Sequence, residues 1–125
     1  MGYWNYGLRH LLLGVETLRR IKGVDLYHEP FLHTTGDYAL HYILPWLTDC
    51  SNTADGNHRT HLWAPLAALA AYHRRPEWQW MARRLITHDW GMDGESLEYS
   101  LFYLIFYDPA VLAAQPDGEQ AVHLF

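Results

Sequence analysis

The chain opens with Gly2-Tyr3-Trp4-Asn5-Tyr6-Gly7-Leu8-Arg9-His10 and continues directly into Leu11-Leu12-Leu13. Apolar residues then recur at three- and four-residue spacing, which predicts one apolar face of an amphipathic helix over residues 3–22. That face would carry Leu8, Leu11, Leu12, Val15, Leu18 and Ile21. Basic residues in the last turn complement the helix dipole, and Gly23 is well suited to end the helix. The first turns carry more polar-tipped aromatic side chains than a helix needs for packing alone.

Further segments with helical spacing follow, and no stretch shows the alternation of a strand. After a short helix or turn near Asp25, interrupted by Pro30, we expect helices over residues 35–47, from about 57 or 58 to 74, 76–88 and 95–107. In the helix over residues 35–47 the buried residues would be Tyr38, Ala39, Tyr42, Ile43 and Trp46. In the helix over residues 95–107 they would be Leu97, Leu101, Leu104 and Ile105. Short connections favour antiparallel αα-hairpins, so the predicted fold is all-α with about five helices.

The composition indicates one folded domain and excludes several classes of function. The chain has 125 residues, of which 50% are hydrophobic, and a net charge of −5. Because phosphate binding needs a basic face, nucleic acid is not an expected partner. No apolar run is long enough to span a membrane, and Cys50 stands alone, so no intrachain disulfide can form. We expect no membrane association.

Aromatic and imidazole side chains are abundant, with Trp 6, Tyr 9 and His 9. Such a composition suits a groove that stacks on a polar ligand such as a sugar, and it suits a large aromatic core equally well. Tyr3 and Tyr6 share a helix face, and Arg9 and His10 follow Tyr6 by three and four residues. A nearby cation favours loss of a phenolic proton, so this group has acid–base potential. Aromatic packing beside an exposed arginine is the alternative interpretation.

Two pairs of side chains have the spacing of metal ligands, His58 with His61 and Asp37 with His41. Neither pair brings a third ligand at a suitable distance, and hydrogen-bonded histidines are the commoner outcome. The sequence therefore predicts no metal site and no cofactor.

The opening segment Gly2-Tyr3-Trp4-Asn5-Tyr6-Gly7-Leu8 resembles the region around the catalytic tyrosine of heparinase II/III-like polysaccharide lyases. The later order is similar to that family too. A loop at residues 51–57 precedes Leu66-Ala67-Ala68-Leu69-Ala70, and Arg75-Pro76-Glu77-Trp78-Gln79-Trp80 follows. The tail from Pro116-Asp117-Gly118 to His123-Leu124-Phe125 resembles the linker that enters the family's β-sandwich domain.

This resemblance implies that residues 1–112 form part of an incomplete (α/α) toroid and that residues 113–125 form a linker towards a β-sandwich domain. The implied reaction is β-elimination on a uronic-acid-containing polysaccharide, such as a glycosaminoglycan or alginate. Tyr3 would be the catalytic tyrosine because it opens the aromatic pair of the motif, whereas spacing from Arg9 favours Tyr6. The substrate-binding residues would be Trp4, Asn5, Arg9 and His10.

The family's asparagine and histidine, which neutralise the uronate and act as base, precede the tyrosine segment. We therefore expect a fragment that binds acidic polysaccharide or oligosaccharide and is weak or inactive alone. Members of the family are usually periplasmic or secreted. Exposed faces of a partial toroid would favour self-association. A non-catalytic carbohydrate-binding domain and a helical interaction domain are the alternatives.

Overall fold

The computed structural model describes residues 2–43, 61–89 and 95–117. Within these ranges it contains five α-helices and no β-strand, which confirms the all-α prediction. The helices are α1 (Gly2–Lys22), α2 (Pro30–Tyr42), α3 (Trp63–His73), α4 (Pro76–Asp89) and α5 (Glu95–Phe106). The predicted bounds of α1, α4 and α5 agree with the structure to within a residue. None of these described helices is both long and apolar enough to cross a membrane.

Helix α1 ends as predicted at Gly23, which has a φ of +68° and donates its N–H to the Arg19 carbonyl at 3.1 Å. A left-handed residue is easiest to form at glycine, which has no Cβ. The buried stripe of α1 is narrower than predicted and consists of Leu8, Leu12 and Val15. The other three apolar residues assigned to that face, Leu11, Leu18 and Ile21, are exposed. They are uncovered because α1 packs its backbone closely against α3 alone among the described helices.

Helix α2 begins at Pro30, so the prediction that this proline interrupts a helix is wrong. A proline suits the first helical position because its missing N–H has no partner there anyway. The preceding segment is a turn, in which the Asp25 carboxylate accepts the Tyr27 N–H at 3.0 Å. The inward residues are Leu32, Thr35, Gly36 and Ala39, whereas Tyr38 is exposed, contrary to prediction. The helix ends at Tyr42 and Ile43 is extended, so it ends earlier than the predicted residue 47, and Pro45 and Trp46 lie outside the described residues.

Helix α3 is the centre of the fold and contacts each of the four other helices. Its first eight residues, Trp63 to Ala70, are all buried. Alanines on several sides let neighbouring helices approach closely, and a helix that is apolar all round is typical of a core position. Residues 61 and 62 precede α3 outside the helix, so the predicted start near residue 57 or 58 is too early. Only residues 74 and 75 separate α3 from α4, which makes this pair an αα-hairpin.

Helix α5 packs through its aromatic face, which is opposite to the predicted one. Tyr99 and Phe102 are buried, and Trp63 of α3 lies edge-on to Tyr99 and Tyr103 at 6.3 and 5.6 Å between ring centroids. The four residues predicted to face inward, Leu97, Leu101, Leu104 and Ile105, are exposed. Both faces are apolar, so periodicity alone could not choose between them. The aromatic face is favoured because it buries more area and its rings pack edge-to-face.

The chain after α5 turns back along the start of α4. The Asp108 carbonyl accepts a hydrogen bond from the buried Gln79 amide at 3.2 Å, and Val111 is buried. Ala114 donates its N–H to the Pro76 carbonyl at 3.2 Å. The first described residues of the predicted linker are therefore attached to the helical body.

Candidate functional site

The outward side of α1 brings together three of the residues singled out from the sequence. Tyr3 is 84% exposed, Tyr6 is 59% exposed, and His10 is exposed beside them. Because a helix turns about 100° per residue, these three side chains lie within about 60° of one another around the axis. Gly7 lies on the same side, and a Cβ built there would meet nothing within 4 Å. We call Tyr3, Tyr6, Gly7 and His10 the α1 outer surface.

Tyr6 and His10 form a defined pair within the α1 outer surface. Their ring centroids are 4.3 Å apart, and the planes are inclined by 44°. The His10 Nδ1 lies 2.8 Å from the Tyr6 carbonyl oxygen. Since a carbonyl oxygen can only accept a hydrogen bond, Nδ1 carries the proton. In the neutral ring, Nε2 is then the unprotonated nitrogen, available as an acceptor or base.

The other predicted substrate-binding residues of α1 face the interior. Trp4 is partly buried and donates its indole N–H to the Thr35 hydroxyl at 3.0 Å. Asn5 and Arg9 are 3% and 5% exposed, respectively. The structure therefore separates Trp4, Asn5 and Arg9 from the α1 outer surface.

The charge of Arg9 is directed towards α5. Its Nη1 lies 2.9 Å from the Glu98 carboxylate, and its guanidinium lies over the Tyr99 ring, 4.5 Å from the centroid. The Arg9 Nε and the Asn5 Oδ1 are buried and have no hydrogen-bond partner. Spacing places Arg9 beside Tyr6 in the sequence, yet its charge serves the contact between α1 and α5.

A second polar cluster, which the sequence analysis missed, joins the α1–α2 connection to the end of α3. The Tyr72 hydroxyl donates to the Asp25 carboxylate, and the His28 Nε2 lies 3.3 Å from the same hydroxyl. Tyr72 also stacks on Tyr27, with ring centroids 3.9 Å apart and planes inclined by 14°. We call Asp25, Tyr27, His28 and Tyr72 the Tyr72 cluster.

The ionisation of the Tyr72 cluster follows from this hydrogen bond. Burial and the neighbouring Asp25 carboxylate raise the pKa of Tyr72 to about 12, while the Tyr72 hydroxyl lowers the pKa of Asp25. Tyr72 is therefore a persistent hydrogen-bond donor at neutral pH and a poor base. The Asp-x-x-His spacing of Asp25 and His28 was a visible signal, but their tyrosine partner lies 47 residues from Asp25 in the sequence. No local pattern shows such a pairing.

Two of the four residues considered as metal ligands, Asp37 and His61, have other contacts in the structure. Asp37 accepts the Trp78 indole N–H at 2.8 Å and an Arg75 N–H at 3.0 Å. His61 packs against Tyr99, with 4.5 Å between ring centroids, and His58 lies outside the described residues. Within residues 2–43, 61–89 and 95–117, no three His, Cys, Asp or Glu side chains are grouped to hold a metal ion.

The sequence matches no protein-family model, and no curated protein or solved structure is significantly similar to it. The resemblance to heparinase II/III-like lyases therefore rests on the quoted motifs and their order.

Proposed function

We propose that this chain binds acidic polysaccharide on the α1 outer surface and contributes that surface to a lyase acting by β-elimination. The observation that carries the proposal is the shared exposure of Tyr3, Tyr6 and His10 around Gly7 on one side of α1. The quoted sequence motifs supply the reaction class. We further propose that the helical domain belongs to an incomplete (α/α) toroid, for which the α3–α4 hairpin is a suitable repeating unit.

Carbohydrate binding is supported by the residue types at this surface. Aromatic rings offer apolar faces against which the C–H faces of a sugar can pack, and phenol and imidazole groups can hydrogen-bond its hydroxyls. Gly7 leaves the backbone uncovered beside Tyr3 and His10. Glycine inside a helix costs about 0.5–1 kcal/mol relative to alanine, and no described packing contact requires it at position 7. We assign the open space at Gly7 to close approach of a sugar ring, because Gly7, unlike Gly14, lies beside an exposed tyrosine side chain.

The Tyr6–His10 pair is suited to the proton transfers of an elimination. The base removes the C5 proton, the released electron pair forms the C4–C5 double bond, and the C4–oxygen bond breaks. The departing oxygen then takes a proton from an acid. Because Nδ1 donates to the Tyr6 carbonyl, Nε2 is the nitrogen of the neutral His10 ring that can accept a proton, so we assign it the role of base. The phenol of Tyr6 adjoins this ring and is the proposed acid, with Tyr3 as the alternative.

The uronate carboxylate also needs a positive group, because negative charge develops at C5 beside it. Arg9 is the nearest cation in the sequence, but it faces inward and is paired with Glu98. Among the described residues, the α1 outer surface offers no permanent cation for this role. We therefore expect binding to be measurable and turnover by this chain alone to be slow.

Calorimetric titration with alginate and heparin, and with neutral dextran as a comparison, tests the binding step. Tyr6→Ala and His10→Ala should weaken binding to the acidic polymers severalfold. Phe31→Ala is the matched control, because Phe31 is an exposed aromatic residue on a different helix, α2. Absence of binding to either acidic polymer would overturn the proposal and favour a helical interaction domain.

The ultraviolet absorbance of unsaturated uronate products tests the chemistry separately. Tyr6→Phe keeps the ring but removes the proton donor, so it should preserve binding and abolish slow product formation. Binding without any product in the unmodified chain would restrict the function to carbohydrate recognition. Rapid turnover would contradict the expectation that a necessary cation is missing from this surface.

A further inference from the structure

The outward face of α5 is a continuous apolar stripe. Leu97, Leu101, Leu104 and Ile105 recur at the spacing of one helix face, with exposed fractions between 53% and 71%. We call these four residues the α5 stripe. The opposite face of the same helix, with Tyr99 and Phe102, is buried against the core. Contiguous apolar patches of this kind on a folded protein are typical of interaction surfaces.

The α5 stripe is complementary to itself. Positions 97, 101 and 105 are spaced symmetrically about position 101. If two α5 helices pack antiparallel, Leu97 meets Ile105 of the partner subunit, and Leu101 meets the partner's Leu101. The Leu97–Ile105 contact then occurs twice and the Leu101 contact once, on the axis, as a two-fold interface requires. The pattern therefore fits a second copy of this chain without any additional partner surface.

The charges around the stripe also favour a second copy. Each chain carries a net charge of −5, so most surfaces of two copies repel each other. The α5 stripe has no charged residue, and the adjacent carboxylate of Glu98 is matched by Arg9 at 2.9 Å. Two copies can meet at this face without bringing uncompensated charges together. Among the side chains of α5 that the structure describes, a basic partner would find no unmatched carboxylate beside the stripe.

We propose that two copies of this chain associate through the α5 stripe, antiparallel, with the two-fold axis at Leu101. Stable dimers bury about 800 Å² on each partner, whereas the largest apolar patch of an ordinary monomer covers about 300–600 Å². The area that four side chains on one helix can cover falls in the range of such a patch, so the dimer is weak and concentration-dependent. This surface lies on a different helix from the α1 outer surface, and dimer formation does not depend on polysaccharide binding.

Sedimentation velocity over a range of concentrations tests the association. The unmodified chain should shift from monomer to dimer as concentration rises. Leu101→Glu should weaken the dimer by roughly tenfold or more, because it brings two carboxylates together at the axis. Leu112→Glu is the control, since Leu112 is 80% exposed but lies beyond α5, and it should leave association unchanged. A chain that remains monomeric at all concentrations would overturn the proposal.

Cross-linking tests the antiparallel arrangement in a Cys50→Ser background. Leu101→Cys should form a disulfide with its own copy, and Leu97→Cys should cross-link to Ile105→Cys when the two variants are mixed. Leu97→Cys alone should cross-link much less, because the two positions lie far apart in an antiparallel pair. A dimer in which Leu97→Cys cross-links to itself more readily than Leu101→Cys would contradict the arrangement. Circular dichroism of each variant verifies that the helices are retained.

Discussion

Gly36 of α2 lies directly against the indole ring of Trp78 in α4. A Cβ built on Gly36 would come within 2.5 Å of the Trp78 ring atoms Cδ2 and Cε2. The ring is fully buried and is fixed by its hydrogen bond to Asp37 and by Arg75, whose guanidinium lies 4.5 Å from the ring centroid. Because these contacts hold the indole in place, a side chain at position 36 would have to displace the ring or separate α2 from α4.

Replacing Gly36 with alanine should destabilise the protein. Alanine is the better helix former by up to about 1 kcal/mol, so propensity alone predicts a gain in stability. Steric overlap with the Trp78 ring forces α2 and α4 apart, at a cost of about 1–3 kcal/mol. We expect the net free energy of unfolding, measured by urea denaturation, to decrease.

The control is Gly14→Ala on α1, where a Cβ would meet nothing within 4 Å. Here the propensity term acts alone and should raise the free energy of unfolding by about 0.5–1 kcal/mol. The two substitutions are chemically identical and should change the free energy of unfolding in opposite directions. A stabilising Gly36→Ala would show that the Trp78 ring can move aside.

Gly7→Ala should separate stability from carbohydrate binding. The added methyl group has no clash within the protein and should raise the free energy of unfolding by about 0.5–1 kcal/mol. The same methyl group would occupy open space beside Tyr3 and His10, so affinity for alginate should fall severalfold. Urea denaturation and calorimetric titration of the same preparation measure the two effects.

Gly14→Ala serves again as the comparison, since it should produce the same gain in stability and leave affinity unchanged. If Gly7→Ala binds alginate as tightly as the unmodified chain, the sugar does not approach the backbone at this point.

Helix positions could be predicted from the sequence wherever the local signals agreed. Gly23 and the basic residues before it mark the end of α1, and Pro76 marks the start of α4. Pro30 gave a misleading signal, because a proline is equally consistent with a helix break and with a first helical residue. In the structure Glu29 is the extended N-cap and His33 donates its N–H to the Glu29 carbonyl, which places the start of α2 at Pro30.

Burial was harder to predict because it depends on tertiary contacts. Helix α5 has apolar residues on both faces, and the packing of Tyr99 and Tyr103 around Trp63 determines which face is inside. In the candidate site, too, the direction of a side chain depends on tertiary contacts. Spacing correctly placed Tyr6 beside His10, but the inward direction of Arg9 depends on Glu98, which lies on a distant helix.

Tyr72→Phe should lower the free energy of unfolding at neutral pH and weaken its dependence on pH in the alkaline range. The pKa of Tyr72 is raised from 10.0 to about 12, so the protonated hydroxyl stabilises the fold below pH 10. That contribution is lost as pH rises through 12. The unmodified chain should therefore lose stability over this range, and Tyr72→Phe should lose less. Urea midpoints at neutral and alkaline pH measure the difference.

Tyr3→Phe is the control for that measurement, because Tyr3 is exposed and far from Asp25 in the fold. It should leave the midpoint unchanged at neutral pH. At acid pH the stability changes in the opposite direction with pH. The pKa of Asp25 is lowered from 3.8, so the stabilising contribution of its carboxylate is present above pH 3.8 and is lost as pH falls further. Identical alkaline profiles for the unmodified chain and Tyr72→Phe would contradict the assigned hydrogen bond.

His73 should make the fold sensitive to mild acid. Burial and the neighbouring His33 lower the pKa of His73 below 6.5, and its Nε2 is buried without a hydrogen-bond partner. Protonation would place a charged N–H where no described group accepts it. As pH falls through 6.5, the unfolded chain binds the proton before the folded chain does, so the free energy of unfolding decreases. Well above pH 6.5 both states are neutral at this residue, and the effect disappears.

His73→Gln removes the titrating ring and should reduce the loss of stability between about pH 7 and 5. This window lies above the range in which Asp25 titrates, so the two effects can be separated. His10→Gln is the matched control, because His10 is exposed on α1 and its substitution should preserve the acid dependence. Urea midpoints of the three proteins at both pH values provide the measurement. An equal loss in all three would show that His73 is not the group that senses acid.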